Sequence, residues 1–500
     1  MQALVHESAR DLPAALDAWQ HALAEDPNSL DIARHLADLA FRLNQWAMAE
    51  KLLAHLIQQG VRDTSTLTAF AATLREQSLY SDAIDLLKTL IGQHPEESAY
   101  WEGLGAVMAA MGDPANALVF FDEALRLDPN NLHALFNRAC AQMEKGELRA
   151  GLSDAIACAD AFRDPDNRLG AQLTCAHACL ALGDLKAGWR WFEARHKRGS
   201  QAEVHYDLPL PRLGPTESLT AKRLLICAEQ GLGDEVLFGT LLPDIAAGIG
   251  EDGRLGITVE PRLVSLFARS FPQATVAAHR TRTLDGRIVR DFPDLDPTLY
   301  DAYALLGDFL PRLRPTVAAF SPARPFLTPP PQATAHWRQW LADLPPGRKV
   351  GILWKSLKSN AQRDRFFAPF SLWMDLLDLP GVTFINLQYG DTAAEQATVR
   401  RAGLRLHTPE LDLKDDLDDL AGLCAAVDIV IGPSNATTNI AAACGVETWL
   451  LGMERAWTKL GEEGYPWYPN VRYFAASAPG DWAPAMAEIR EQFARSESVR

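Results

Sequence analysis

The sequence predicts an all-α superhelix of stacked helical repeats followed by a two-part α/β half. Three observations carry that prediction. Small residues recur every 34 positions, at Ala15, Ala49, Ala83 and Ala117, with Gly151 in the next slot. From Leu224 onward, short apolar runs end in Gly- and Ser-bearing loops and are followed by amphipathic stretches, the alternation of an α/β sheet. Two aperiodic Pro-rich stretches, 201–220 and 321–332, divide the chain into blocks. The expected organisation is a repeat array over 1–200, a connector over 201–220, a first α/β domain over 221–320, a hinge over 321–332, and a second α/β domain over 333–480. A last helix over 481–500 is expected to cross back toward the first α/β domain.

The repeats are justified by what stacked helices require. Ala37, Ala71, Gly105 and Ala139 form a second small-residue series, and Pro27, Pro95 and Pro129 lie twelve residues after three of the first-series alanines. Small residues let paired helices cross closely, and proline marks where one helix has ended. About five repeats are expected, with an irregular one over 170–196, where Gly183 lies 71 residues after Gly112 and breaks the period. A stacked array offers a long inner surface suited to a protein or peptide.

In the first α/β domain, Leu224–Cys227 reads as a buried strand, 229–235 as a loop and 236 onward as helix. Gly231 and Gly233 allow a backbone to approach a ligand, while Asp234 and Glu235 stand where the loop becomes helix. Either acid could be a helix-start residue, and Asp234 could instead be a base at a cleft mouth. Asp301, Tyr303, Asp308 and Arg314 are further candidates. The spacing is not that of a dinucleotide fingerprint, which argues against an oxidoreductase.

In the second, Val350–Trp354 reads as a strand followed by a basic loop carrying Lys355, Ser356, Lys358, Ser359, Asn360, Arg363 and Arg365. A cationic loop at the carboxyl end of a strand suits phosphate. Gln388 follows the next strand. The stretch 425–451 reads as strand, polar loop, small-residue helix and strand. Its Ser434, Asn435, Thr437, Thr438 and Asn439 gather hydroxyls and amides at a helix N-terminus, a place for phosphate or carboxylate or simply a capped turn. Trp457, Tyr465, Trp467 and Tyr468 either line a pocket or cover a domain edge.

The formal net charge of -16 opposes general nucleic-acid binding. The seven cysteines show no metal-ligand spacing, so no metal is expected, and a reducing, cytoplasmic setting is. No stretch reaches the length of an apolar membrane span.

Over 11–196 the chain resembles tetratricopeptide-repeat proteins, most clearly at WEGLGAVMAAMGDPANALVFFDEALRLDP over 101–129. In some sugar-transferring proteins whose repeats these resemble, an asparagine recurs on the inner helix; the equivalent slots here hold His35, Ala69, Gly103 and Asn137, so the resemblance implies a partner contact at Asn137 alone. The α/β half resembles GT-B glycosyltransferases of family 9, the heptosyltransferase-like group, and is more distantly similar to protein O-linked N-acetylglucosaminyltransferases. The landmarks are EQGLGDEVLFGTLLP, VGILWKS, FINLQYGD, DLAGLCAAVDIVIGPSNATTNIAAACGV and YPWYPNVRYF. The resemblance implies a bacterial, metal-independent, inverting glycosyltransferase built from two Rossmann-like domains. A nucleotide-activated sugar would serve as co-substrate, with no cofactor. A protein hydroxyl would be the acceptor, and some repeat-fused members modify flagellin with nonulosonic acids. It makes Asp234 the catalytic base and Lys355 the catalytic cation. It assigns Lys358, Arg365, Gln388, Ser434, Asn435, Thr437, Thr438 and Asn439 to the donor, and Gly231, Gly233 and Glu235 to the acceptor loop. Many members have Asp-Thr-Ala-Val-Ala-His where this chain has the run from Ser434 to Asn439. Two other readings stand beside this one: a transferase acting on a surface polysaccharide or lipid-linked acceptor, and a non-catalytic repeat scaffold whose α/β half binds a nucleotide or braces the array.

Overall fold

A computed structural model describes residues 3, 6–7, 11–196, 203–284, 287–320, 324–356 and 361–497. Eleven consecutive helices run through the first part: α1 Leu12–Glu25, α2 Leu30–Arg42, α3 Trp46–Gln58, α4 Thr64–Glu76, α5 Tyr80–Gln93, α6 Ser98–Ala110, α7 Pro114–Leu127, α8 Leu132–Glu144, α9 Leu148–Ala161, α10 Pro165–Ala181 and α11 Leu185–Phe192. From α2 on they pair as hairpins.

The 34-residue series has a steric cause. Ala15, Ala49, Ala83 and Ala117 are fully buried at 0% exposure. A Cβ on Gly105 would lie 2.6 Å from the Phe121 ring, and one on Gly151 would lie 2.7 Å from the Ala139 carbonyl. A larger residue in these slots would push the paired helices apart. A further series shows in the backbone: Asn44, Ser78, Gly112 and Gly146, again 34 apart, all have positive φ. Each follows the first helix of a hairpin and ends it in the left-handed conformation. Acid or amide caps start several helices, with the side chains of Asp11, Ser29, Asp63, Asp113 and Asn131 each accepting a backbone N–H three residues on. The first helices of successive hairpins touch one another, α4 on α6 and α6 on α8, and so form the inner layer of the stack.

The chain divides into two compact units, and the division does not fall at residue 200. The first holds residues 1–178, 194–205 and 281–289; the second holds 179–193, 206–280 and 290–500. Within the second unit α11 is anchored by its own aromatics. The Trp189 indole N–H donates to the Arg314 carbonyl at 2.8 Å, and Phe192 meets Phe238 edge-on with centroids 6.1 Å apart. The second helix of the slipped repeat thus belongs to the second unit, while its Gly188 still packs against Leu180 of α10. Val204–Tyr206, Arg287–Asp291 and Arg280–Leu284 form a small sheet in that order.

Two parallel sheets build the α/β half. The first comprises β1 Arg223–Cys227, β2 Arg254–Val259, β3 Thr275–Ala278 and β4 Ala302–Leu305, in spatial order β3-β2-β1-β4. The second comprises β5 Arg348–Ile352, β6 Val382–Asn386, β7 Ile429–Pro433, β8 Glu447–Met453 and β9 Val471–Ala476, in order β9-β8-β7-β5-β6. Each order reverses direction once, next to β1 and next to β5, and such a reversal opens a crevice at the carboxyl ends of the strands. The strand β1, ending at Cys227, leads to helix α12, Leu232–Gly239, which starts four residues earlier than the sequence predicts. The strand β7 leads to helix α13, Ala436–Ala443. Helix α14, Ala483–Glu497, does not cross back. Ile489 and Phe493 sit in the core of the second sheet with Phe384 and Trp449. Its apolar face had a nearer partner in its own sheet. The hinge is shorter than expected, since Pro331 already begins the helix Pro331–Ala342; residues 321–323 lie outside the described residues. No helix among the described residues is long and apolar enough to cross a membrane.

Candidate functional site

The two reversal points lie in the same unit and can be built separately. At the first, the loop after Cys227 runs over a buried arginine. Arg290 donates from Nη1 to the Ala228 carbonyl at 2.8 Å and from Nη2 to the Gln230 carbonyl at 3.1 Å. This pins Gln230 at φ +66°, a conformation that costs a side-chain-bearing residue energy and needs such support. Glu229 is buried, and its Oε1 accepts the Gly307 N–H at 2.8 Å, tying the loop after β1 to the loop after β4. The gap that a reversal point leaves for a ligand is spanned by this side chain.

Asp234 and Glu235 take opposite directions. Asp234 Oδ2 accepts the Gly231 N–H at 3.3 Å and stays half-buried in the first turn of α12. Burial, reinforced by the Glu229 and Glu235 carboxylates, raises its carboxyl above the ordinary range against the pull of that N–H. Glu235 turns inward. Its Oε2 accepts the Glu260 N–H at 2.8 Å and its Oε1 meets His279 Nε2 at 2.8 Å, with the Arg290 guanidinium 4.0 Å away. Glu235 belongs to a buried ion network, not to an acceptor loop. His279 and Arg290 were missed in the sequence, being 44 and 55 residues from Glu235 with no local pattern to join them. Of the other candidates in this domain, Asp301 pairs with Arg223, Asp308 with Arg212 and Arg314 with Asp244 at 2.7 Å, while the Tyr303 ring stacks with Tyr206, centroids 6.3 Å apart.

At the second reversal point the first cation of the basic loop is already paired. Lys355 Nζ is held by Glu395, which also accepts the Trp354 indole N–H at 3.2 Å. Burial pushes the Glu395 carboxyl up, but Lys355, its own backbone N–H and the Trp354 indole together bring it below the usual range. Gln388 is 2% exposed, and its Oε1 accepts both the Trp354 and Lys355 N–H groups at 2.8 Å. It is a brace for the loop. The Arg365 guanidinium lies 5.3 Å from the centroid of the Phe366 ring, while its carbonyl accepts from Gly480 and Trp482. Lys358 lies outside the described residues.

The loop 434–438 closes on itself. Asn435 and Thr438 form a reciprocal cap: Thr438 N–H to Asn435 Oδ1 at 3.2 Å and Asn435 N–H to Thr438 Oγ1 at 3.0 Å. Thr438 Oγ1 also donates to the Pro433 carbonyl at 2.9 Å. Thr437 is 1% exposed, and Ser434 alone of the five candidates is open to solvent.

Helices α12 and α13 then meet near their N-termini. Asn439 Nδ2 donates to the Gly233 carbonyl at 3.3 Å. A Cβ on Gly233 would lie 3.3 Å from the Ala436 nitrogen. The requirement for glycine here is the close approach of α13. Arg269–Asp418 and Arg262–Asp415 pair across the same two α/β parts at 2.6 and 3.1 Å. Tyr468 is buried and its hydroxyl points to the Val236 carbonyl at 3.4 Å. Trp467 and Tyr468 are 1% exposed and cover the seam, the edge-covering alternative of the sequence reading. Two polar groups remain unspent. Asn435 Nδ2 and the Tyr465 hydroxyl are buried with no hydrogen-bond partner among the described residues. Tyr465 is 5% exposed, and burial, with the Asp234 carboxylate adding to it, raises its hydroxyl far above the ordinary value against the pull of Thr458 and Ser434, which lie near it without forming a hydrogen bond of good geometry.

In the repeat array Asn137 is not idle. Its Nδ2 donates to Glu102 Oε1 at 2.6 Å, between α8 and α6.

The tetratricopeptide-repeat family model matches residues 68–132. Over 490 residues the chain is 44% identical to Protein FlbA of Caulobacter vibrioides, covering 97% of this chain and 82% of that protein. A shorter similarity, 22% over 157 residues, is to Superkiller protein 3 of Schizosaccharomyces pombe and covers 30% of this chain and 11% of that one. Among solved structures, the chain is similar to a thermophilic tetratricopeptide-repeat protein of Thermus thermophilus, at 18% identity and TM-score 0.30, covering 34% of this chain and 94% of that one. The match to FlbA corrects the expectation of a family 9 or O-linked N-acetylglucosaminyltransferase-like enzyme fused to repeats. The similarity to FlbA spans 97% of this chain, through the repeats and the α/β half alike, and the family model that matches is that of the tetratricopeptide repeat. The transferase and protein-glycosylation assignments, and the flagellin-modifying role, rested on the other resemblance and are withdrawn with it.

Proposed function

Because this chain belongs to the FlbA family, we propose that it is a non-catalytic scaffold: the repeat array takes a protein or peptide partner, and the α/β half braces it. The bracing half is read as a GT-B-like pair of Rossmann-like domains that keeps the fold without the transfer chemistry. One observation carries the reading. Among the described residues, several groups that the crevice would offer to a substrate are engaged within the fold, Lys355 by Glu395, the loop carbonyls at 228 and 230 by Arg290, and Gly233 by the approach of α13. A photo-crosslinking residue at Cys140, exposed on the inner helix α8, tests it against one at Val119, 62% exposed on the outer helix α7. A protein adduct from position 140 and none from 119 is expected; adducts from neither, or equally from both, would overturn recruitment by the inner face.

A second reading is favoured by the two unspent donors. Two helix N-termini carry like partial positive charge and repel unless something negative lies between them. Asn435 Nδ2 is buried in the loop before α13, and the Tyr465 hydroxyl lies near Ser434, the residue that precedes it. A phosphate-bearing nucleotide held there would satisfy both and bind without turnover. Thermal shifts with CMP, UDP, GDP and ADP test this: a saturable rise for one of them, lost in Tyr465→Phe, is expected, and flat responses to all four reject it.

A further inference from the structure

The inner layer of the array holds one carboxylate whose electrostatic situation is unlike its neighbours'. Across residues 1–178 there are 25 Asp and Glu against 13 Lys and Arg, a balance of −12 of the chain's −16. On the inner helices the arginines are already taken. Arg34 pairs with Asp63 at 2.8 Å, Arg42 with Asp38 at 3.7 Å, Arg75 with Glu76 at 2.7 Å, and Arg138 with Asp122 and Asp154 at 2.9 and 2.7 Å. Arg168 donates to the Phe162 carbonyl at 2.7 Å.

Glu102 is the exception among the inner acids. It lies on α6 between α4 and α8, half-buried, and its one hydrogen bond among the described residues is the Asn137 amide on Oε1. Oε2 is left over. The titratable groups around it are Arg75 from α4 and His133 from α8, and both favour its charged form. Burial still outweighs them together with the Asn137 bond and holds the Glu102 carboxyl above its ordinary value. A desolvated carboxylate with a free lone pair is a group short of a cation. On α6, Ala99 one turn before Glu102 is half-buried, whereas Ala106 one turn after it packs in the core with Phe121. The Arg75 guanidinium is engaged elsewhere, with both Nε and Nη2 donating to Glu76 Oε1 at 3.1 and 2.7 Å.

We propose that the inner face of the array binds a basic protein segment, with Glu102 receiving a lysine or arginine side chain on its free oxygen. This rests on the scaffold reading and gives its partner a chemistry. The net charge of the array draws such a segment in, and Glu102 fixes its register. Because Oε1 is occupied by Asn137, the contact is single-pronged, so lysine and arginine both serve. Binding also favours the ionised carboxyl, so the protein releases a proton, or fails to take one up, when the segment docks.

The test uses the full chain on an array of immobilised fifteen-residue peptides, with a central Lys, Arg, Gln or Glu in otherwise identical Gly/Ser/Leu sequences. Glu102→Gln keeps a carbonyl for Asn137 and removes the charge. Asp160→Asn removes the same charge at an exposed outer-helix position. The expected result is retention of the Lys and Arg peptides over the Gln peptide, reduced at least five-fold by Glu102→Gln and unchanged by Asp160→Asn. Equal losses in the two variants would reduce the effect to general charge and overturn the assignment of Glu102. Retention of Gln or Glu peptides as well as Lys peptides would overturn the basic partner while leaving the scaffold reading intact. No retention of any peptide, together with no adduct from position 140, would overturn both.

Discussion

The loops that follow Cys227 and Pro433 look alike in sequence, each a polar, turn-rich bridge from a buried strand to a helix, and the fold treats them in opposite ways. The first is fastened from below. Arg290 holds two of its carbonyls, Glu229 crosses to Gly307, and Glu235 is drawn into a buried network with His279. The second fastens itself through the Asn435–Thr438 cap and still leaves Asn435 Nδ2 and the Tyr465 hydroxyl unspent. A strand-to-helix loop is therefore not a ligand site by composition. What separates an occupied loop from an available one is whether its polar atoms already have partners, and those partners come from far along the chain.

The strongest way to break this contrast is at Arg290. Arg290→Met removes the donor to the Ala228 and Gln230 carbonyls and leaves Glu235 with one fewer cation. Removing one member of a buried ion network costs about 3–5 kcal/mol. Urea unfolding of the α/β half should show a loss of that size. A loss under about 1 kcal/mol would mean that the first loop is no better fastened than the second.

The seam between α12 and α13 comes next. In Gly233→Val the added side chain meets the Ala436 nitrogen and the Asn435 carbonyl carbon, whose distances from a Cβ are 3.3 and 3.4 Å. Backbone cannot yield as a side-chain tip can, so a cost of about 1–3 kcal/mol is expected. Hydrogen exchange should speed up over 436–443 more than over 223–227. Uniform exchange across both would place the damage elsewhere than the seam.

At the second loop itself Asn435→Ala removes a cap worth about 1 kcal/mol. Tyr465→Phe removes a buried hydroxyl with no partner, and should leave stability unchanged or raise it. Paired melts of the two variants sharpen the contrast. If Tyr465→Phe is as costly as Asn435→Ala, the hydroxyl has a partner after all, and the loop is as fully spent as the first.

How much of this could be read along the chain depends on how local its cause is. The 34-residue alanine series was legible because each residue's burial is imposed by a helix pair within its own repeat, and the strands after Lys222 and Asp428 because their apolar runs are short and bounded. Helix α12 began earlier than the glycines suggested, since Asp234 caps Gly231 and lets Leu232 and Gly233 enter the first turn. Lys355 and Gln388 were rightly placed beside strand ends. Their engagement by Glu395 and by the Trp354 and Lys355 amides was invisible, because contacts at a separation of 33 to 40 residues leave no periodicity. The ion network of Glu235, His279 and Arg290 was hidden for the same reason.

Asp234 carries the smallest and most diagnostic effect, because two forces on it have opposite signs. Burial and its acidic neighbours raise its carboxyl, whereas the two helix N-termini beside it would lower it. With the native value raised above the unfolded one, the folded chain binds the proton more tightly. Stability then falls as pH rises from the ordinary carboxylate range through the raised native value, and stays low above it. Asp234→Asn keeps an oxygen for the Gly231 N–H and removes that dependence. The variant should be slightly more stable than the wild type at neutral pH, with the difference shrinking on acidification toward the ordinary carboxylate range. Melts across that range decide it. A variant less stable at neutral pH would show that the Asp234 charge is what lets two helix N-termini sit together, and the seam, not the loop after Cys227, would then be where this half of the molecule stores its electrostatic cost.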